Sequence, residues 1–256
     1  MPREHRFFVE AISADVVELP ADQAHHATGV LRLKSGQEVE VFDGAGGAAS
    51  GTLKVAGRGR VLVHIVSRHP APTRPEPIVE LAFAVPKGKR LDWLLEKATE
   101  LGAARLVPVV FERSVARPEV SEHAHGRWRG ICIAAAKQCG LYFLPEIAAP
   151  VDLRAHIATV TAEIKLLGSA ESACSVPQAL SAWSAGKRPE GTPAQHPLRD
   201  LSRRVAILVG PEGGLTEPEQ AQAQSAGFVP VRLGSLTLRV ETAAIALLAT
   251  VRVLGS

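Results

Sequence analysis

The sequence predicts two domains, a small β-barrel followed by an α/β domain with a mostly parallel sheet, and three observations carry that reading. Residues 68–77 hold four prolines, which fix an extended path and place a boundary near residue 72, giving domains 1–72 and 73–256. Before the boundary, short β-rich runs alternate with Gly-rich turns. After it, continuous apolar runs alternate with stretches of helical period, the pattern of βαβ units with helices on both faces of a sheet.

In chain order, strands are expected at 6–10, 38–42, 51–55 and 61–66, with Asp43-Gly44-Ala45-Gly46-Gly47 as one of the turns. One short helix is expected over 22–31, with Asp22 capping its first amides. In the second half 78–85 is an apolar strand, Leu91, Leu94, Leu95, Ala98 and Leu101 recur at helical spacing, and 106–110 is the next strand. Further strands are expected at 163–167, 204–209 and 229–233, and helices near 119–138, 176–183, 217–226 and 241–253. Residues 184–203, rich in Pro, Gly and charge, are expected to form a long surface connection. The last helix is apolar nearly all round, which points to a subunit interface as well as a core contact.

Composition excludes several classes. Of the 256 residues 46% are apolar, enough for a core, and the longest strongly apolar stretch, 243–251, is far short of the roughly 20 residues of a membrane span. No apolar signal core follows the charged N-terminus, and Cys132, Cys139 and Cys174 are odd in number with no Cys-x-x-Cys, so a reducing cytoplasm is the expected setting. Cys132 and Cys139, seven apart on a helix, are expected to share a core-packed face. His25-His26 and His123-x-His125 lack a ligand spacing completed by carboxylate or Cys, so no metal is expected. The net charge of +3 lies wholly beyond residue 72, where 21 Lys/Arg face 18 Asp/Glu, so a nucleic-acid footprint has to be a local patch.

The chemistry is expected where three late strands stop at glycine: Leu166-Leu167-Gly168-Ser169, Leu208-Val209-Gly210-Pro211-Glu212-Gly213-Gly214 and Arg232-Leu233-Gly234-Ser235. In a parallel sheet these ends share the carboxyl edge, where ligands of open α/β folds bind, and glycine admits a ligand to the backbone. Thr216-Glu217-Pro218-Glu219 reads as a capping box that starts a helix directly after the second stop. No Gly-Lys-Ser/Thr and no Gly-x-Gly-x-x-Gly is present, which disfavours nucleotide-triphosphate hydrolysis and the usual dinucleotide mode. What remains is a loop able to recognise a small uncharged edge such as an adenine ring.

The string Leu-Val-Gly-Pro-Glu-Gly-Gly-Leu-Thr at 208–216, followed by Leu-Gly-x-x-x-Leu-Arg-x-Glu-Thr-Ala at 233–243, resembles the small-subunit (16S) ribosomal RNA uridine-N3 methyltransferase (RsmE) family of the SPOUT superfamily. In the first domain the resemblance extends over His5-Arg6-Phe7, residues 26–36 and Val41-Phe42-Asp43-Gly44. In the second it takes in Pro86-Lys87-Gly88-Lys89-Arg90, residues 96–102, Glu112-Arg113-Ser114 and residues 134–140. It implies a PUA-like barrel, an α/β SPOUT domain with a deep trefoil knot, and a homodimer. It also implies S-adenosylmethionine lined by Leu167, Gly168, Ser169, Leu208, Val209, Gly210, Pro211, Glu212, Gly213, Leu233, Gly234, Leu238 and Arg239. The family commonly carries basic residues where this chain has Leu141 and Leu236.

The implied reaction methylates N3 of a uridine in small-subunit ribosomal RNA, with the assembled particle as the expected substrate. It needs a base held out of its stack and donors for charge developing on the carbonyl oxygens. Arg239 is the candidate for that donor, against a plain salt bridge to Glu241 or Glu212. Glu212 is the candidate base, against a role in fixing its loop. Arg6, Arg32, Lys34, Lys87, Lys89, Arg90, Arg113 and Lys137 form a candidate phosphate track, with Gln138 beside it. Two other readings stay open at this level, an RNA-binding protein of the ribosome without catalysis and a sister SPOUT enzyme acting on transfer RNA.

Overall fold

The computed structural model describes residues 5–70, 72–115, 121–184 and 204–255, so most of the connection expected at 184–203 lies outside the described residues. The chain divides into two compact units, Met1–Arg74 with Ile133–Leu144, and Pro75–Cys132 with Pro145–Ser256. Ile133–Leu144, C-terminal to the proline-rich boundary in sequence, thus packs with the first unit.

The first unit is a five-stranded sheet in the order β1-β3-β4-β5-β2, from β1 (His5–Phe8), β2 (Val16–Glu18), β3 (Glu38–Phe42), β4 (Ala48–Val55) and β5 (Val61–Arg68). Only β1 and β3 pair in parallel. A register shift at Ser50/Gly51 interrupts the β4–β5 ladder, and a Cβ on Gly51 would collide with the His64 carbonyl, so only glycine fits there. Phe7, Val39, Val41, Leu53, Val61 and Val63 fill the core of this unit. The helix expected over 22–31 divides into α1 (Ala21–His25) and a π-helical turn, His26–Val30. Asp22 does not cap it: the N-cap is Pro20, and the Asp22 carboxylate, already in the first turn, accepts from Gln23 Nε2.

The second unit carries β6 (Ile78–Ala84), β7 (Arg105–Val110), β8 (Glu146–Ile147), β9 (Val151–Asp152), β10 (Ile164–Gly168), β11 (Arg204–Val209) and β12 (Val229–Val231). The order is β12-β10-β11-β6-β7-β8, with β9 also on β7, and every pairing is parallel. Helices α2 (Lys89–Glu100), α3 (Glu122–Cys139), α4 (Leu153–Thr159), α5 (Val176–Ser184), α6 (Glu217–Ser225) and α7 (Val240–Gly255) accompany these strands among the described residues. Asp152 caps α4 by accepting from Ala155 N at 2.7 Å.

Burial follows the expected period: Leu91, Leu94, Leu95 and Ala98 on α2 and Val240, Ala244, Leu247, Leu248 and Val251 on α7 are core residues, and the two helices pack together. Arg252 donates to the carbonyls of Leu101, Gly102, Pro75 and Pro77, and burial pulls its guanidinium down to about 10. The expected shared core face of Cys132 and Cys139 is corrected: Cys132 is buried, but Cys139 is exposed at the last turn of α3, before Gly140 takes a positive φ of 84°.

Candidate active site

Parallel pairing brings three strand ends into register, with Gly168 beside Val209 on one side and Val231 on the other. The loops that leave them surround one cleft of about 360 Å³. Its wall includes Leu167 and Gly168 at the end of β10 with Ser169, Ala170 and Glu171 beyond, Val209 at the end of β11 with residues 210–215 beyond, and Leu233, Gly234, Leu236, Thr237 and Leu238 after β12. The cleft lies at the carboxyl edge of the parallel sheet, the edge at which open α/β folds bind ligands.

Local sequence explains why the middle loop holds its shape. The capping box at α6 forms as expected: Thr216 N donates to Glu219 Oε2 at 2.9 Å, while Glu219 N donates to Thr216 Oγ1 at 3.4 Å. Gly214 takes φ of 70°, a left-handed turn suited to glycine, and its N–H donates to the Pro211 carbonyl at 2.8 Å. A Cβ on Gly210 would run into Leu215 Cδ1, and one on Gly168 would sit 3.2 Å from Leu247 Cδ1. The loop after β7 is tied on at two points, Glu112 N to Glu219 Oε1 at 2.8 Å and Arg113 Nη1 to the Gly213 carbonyl at 2.9 Å.

Of the cofactor residues expected from sequence, all but Leu208 and Arg239 line this cleft. Leu208 is fully buried within β11, its side chain in the core. Arg239 is exposed, and its backbone carbonyl accepts from Ala243 N at the start of α7. The salt bridge considered for Arg239 falls to another residue: Arg90 Nη1 lies 3.5 Å from Glu212 Oε1 and 3.9 Å from Glu241 Oε1.

Two more track members have partners within the first unit. The Arg6 guanidinium pairs with Glu40, donates to the Ala136 and Leu141 carbonyls, and packs over Phe42 and Tyr142, so three of its five donors are used inside the first unit. Lys137 donates to Gln23 Oε1 at 2.9 Å and lies 5.2 Å from the Phe7 ring centroid, and desolvation lowers its pKa. Arg32, Lys34, Lys87, Lys89, Arg113 and Gln138 are exposed. Leu141 packs on the cluster around Phe8 and Phe42, whereas Leu236 is 76% exposed at the rim of the cleft. Glu171 lies outside the string expected to form the site; its place three residues beyond the Gly168 stop is the available signal.

The geometry agrees with the comparisons. An RNA methyltransferase domain model matches residues 74–252, and an RNA methyltransferase PUA domain model matches 19–66. The ribosomal RNA small subunit methyltransferase E of Synechocystis is 32% identical over 96% of this chain and 75% of its own length. The chain belongs to this methyltransferase family. The methyltransferase E of Mycobacterium bovis is 30% identical over 98% of this chain and 92% of its own. Among solved structures, the Neisseria gonorrhoeae methyltransferase E bound to S-adenosyl methionine has a TM-score of 0.82, 29% identity and 98% coverage of both chains. A Legionella pneumophila protein holding the same cofactor also has a TM-score of 0.82, at 27% identity over 98% of each chain. This methyltransferase is thus an α/β protein with a PUA domain, and among its described residues no helix is long and apolar enough to cross a membrane.

Proposed function

We propose that the protein transfers the methyl group of S-adenosylmethionine to ring nitrogen N3 of a uridine in small-subunit ribosomal RNA. The observation that carries this reading is the single cleft at three adjacent strand ends, in a chain whose relatives bear that enzyme's name and, in the Neisseria case, that cofactor. The residues fit the cofactor. A volume of about 360 Å³ is of small-ligand size, Gly168 and Gly210 let Leu247 and Leu215 pack against the strand ends where a Cβ would press on them, and apolar Leu167, Val209 and Leu238 line the wall as an adenosine site requires. Bound there, the cofactor supplies a methyl group on a positively charged sulfur. We assign its binding to Leu167, Gly168, Ser169, Val209, Gly210, Pro211, Glu212, Gly213, Leu233, Gly234 and Leu238.

The exposed cations Arg32, Lys34, Lys87 and Lys89 are the phosphate contacts of this reading, with the PUA domain gripping RNA. The strand order β12-β10-β11, in which the last strand returns beyond the first, supports threading as a deep trefoil knot. The half-buried Ile245, Ala246 and Ala249 with exposed Val253 on α7 support a homodimer. The assembled small subunit is the substrate and the cytoplasm the setting.

The test pairs binding with product mapping. Calorimetry with S-adenosylmethionine or S-adenosylhomocysteine is expected to give one site per chain, and no heat at millimolar ligand removes the proposal. Small subunits lacking the modification, treated with protein and cofactor and digested to nucleosides, are expected to yield 3-methyluridine. Cofactor binding without transfer favours the non-catalytic reading, and methylation of transfer RNA favours the sister enzyme.

A further inference from the structure

We propose that Arg113 is the catalytic cation of this methyl transfer, the donor to a carbonyl oxygen of the uridine as its N3 loses the proton; the inference rests on the reaction proposed above. Arg113 is the one Lys or Arg on the wall of the cleft among the described residues, a wall whose other charged side chains are Glu171 and Glu212. Glu212 faces Arg90, not Arg113. Among the described residues no carboxylate lies within ion-pair distance of Arg113, so its charge is free for a substrate.

Its position is fixed from several sides. The guanidinium donates through Nη1 to the Gly213 carbonyl, and the aliphatic stem runs along Gly213 so closely that a Cβ there would lie 3.6 Å from Arg113 Cβ and 3.7 Å from Cδ. The carrying turn is closed by Phe111 N donating to Ser114 Oγ at 2.8 Å and Ser114 N to the Phe111 carbonyl at 3.1 Å, with Phe111 buried. Glu112 N is held by Glu219. One of the five guanidinium donors is used on Gly213, which leaves the others for a ligand. A preorganised donor of this kind stabilises developing charge without reorganising at the moment of reaction.

The uridine imide is a weak acid, and its anion spreads charge over N3 and the two flanking carbonyl oxygens. A planar cationic fork at one oxygen lowers the cost of that anion. The N3 proton passes to solvent water, the N3–methyl bond forms, and the methyl–sulfur bond breaks with its electron pair left on sulfur. Arg239, exposed and off the cleft wall, is not placed for this task.

The test compares wild type, Arg113→Ala and Arg113→Lys on small subunits assembled from RNA carrying either uridine or 5-fluorouridine, whose imide is more acidic. Arg113→Ala is expected to lower the transfer rate by about 10²–10³ with cofactor affinity by calorimetry unchanged, Arg113→Lys to lie between. On fluorouridine RNA the deficit of Arg113→Ala is expected to shrink by roughly tenfold or more, and its pH–rate profile to reach its plateau at higher pH than wild type. A wild-type rate in Arg113→Ala overturns the proposal. So does a deficit equal on both RNAs, or a loss of cofactor affinity as large as the loss of rate, which marks a loop-holding role. If wild type itself forms no 3-methyluridine, the reaction assigned to the site fails first, and this failure is distinct from that of Arg113.

Discussion

Glu219 Oε1 accepts the backbone N–H of Glu112 at 2.8 Å, across 107 positions of chain, while the same carboxylate closes the capping box of α6 through Oε2. One side chain therefore sets both the entry of a helix and the position of the loop that carries Arg113. Replacing Glu219 by Ala is expected to cost about 1–2 kcal/mol of stability, the scale of a lost cap and a lost hydrogen bond to a charged group. Glu219→Gln keeps one carbonyl oxygen for one of the two amides, so an intermediate loss is expected. Urea denaturation of the three proteins measures this, and equal stability of Glu219→Ala and wild type would show the tether to be energetically idle.

Gly210 is the second point of leverage. A side chain there collides with Leu215, itself on the cleft wall, so Gly210→Leu is expected to displace that wall and weaken cofactor binding by at least about tenfold while the first unit keeps its fold. Gly234→Ala is the contrast, since a Cβ at Gly234 meets nothing within 4 Å and the fold is expected to accept it. Calorimetry and thermal melts separate the two effects. Wild-type affinity in Gly210→Leu would put the cofactor elsewhere.

The convergence of the three loops was legible because parallel strands all end on the same edge, so three glycine stops in separate segments had to become neighbours once the alternating pattern was recognised. The capping box was legible because it is local. Partnerships across long separations were not. Nothing near Arg6 in sequence announces Glu40 or the carbonyls of Ala136 and Leu141, and nothing near Arg90 announces Glu212 and Glu241. A lysine or arginine in a family string can serve the fold as readily as the ligand, and only packing separates the two. The short α4 was missed because it spans seven residues and is announced only by its cap, Asp152.

That distinction yields a test on the cations. Arg32→Gln with Lys34→Gln is expected to weaken RNA binding and to reduce the slope of log affinity on log salt by about 0.7–0.9 for each phosphate that is no longer neutralised, leaving stability unchanged. Arg6→Gln is expected to behave in the opposite way, lowering stability because Glu40 is buried and is left without its cationic partner. Salt-titrated binding beside thermal melts reads both. Unaltered melting of Arg6→Gln would mean that its ion pair carries no net stability.

His156 offers a pH dependence that belongs to the fold and not to the reaction. It is 2% exposed on α4, beside Phe228, with Nδ1 3.8 Å from Glu80 Oε1 and no partner for Nε2 among the described residues. Burial lowers its pKa below the ordinary 6.5; Glu80 opposes the shift, and Arg105 and Lys165 add to it. Below pH 6.5 the unfolded chain therefore binds a proton that the folded chain refuses, so stability falls as pH drops from 6.5 and stops falling below the folded-state pKa. The slope in that window is expected to reach about 1.4 kcal/mol per pH unit for this one group. His156→Gln is expected to flatten it, leaving the part owed to His26, which is also lowered by burial and by Lys137. Urea midpoints between about pH 7 and pH 5 decide the matter, and an unchanged slope in His156→Gln would assign the acid sensitivity to other groups.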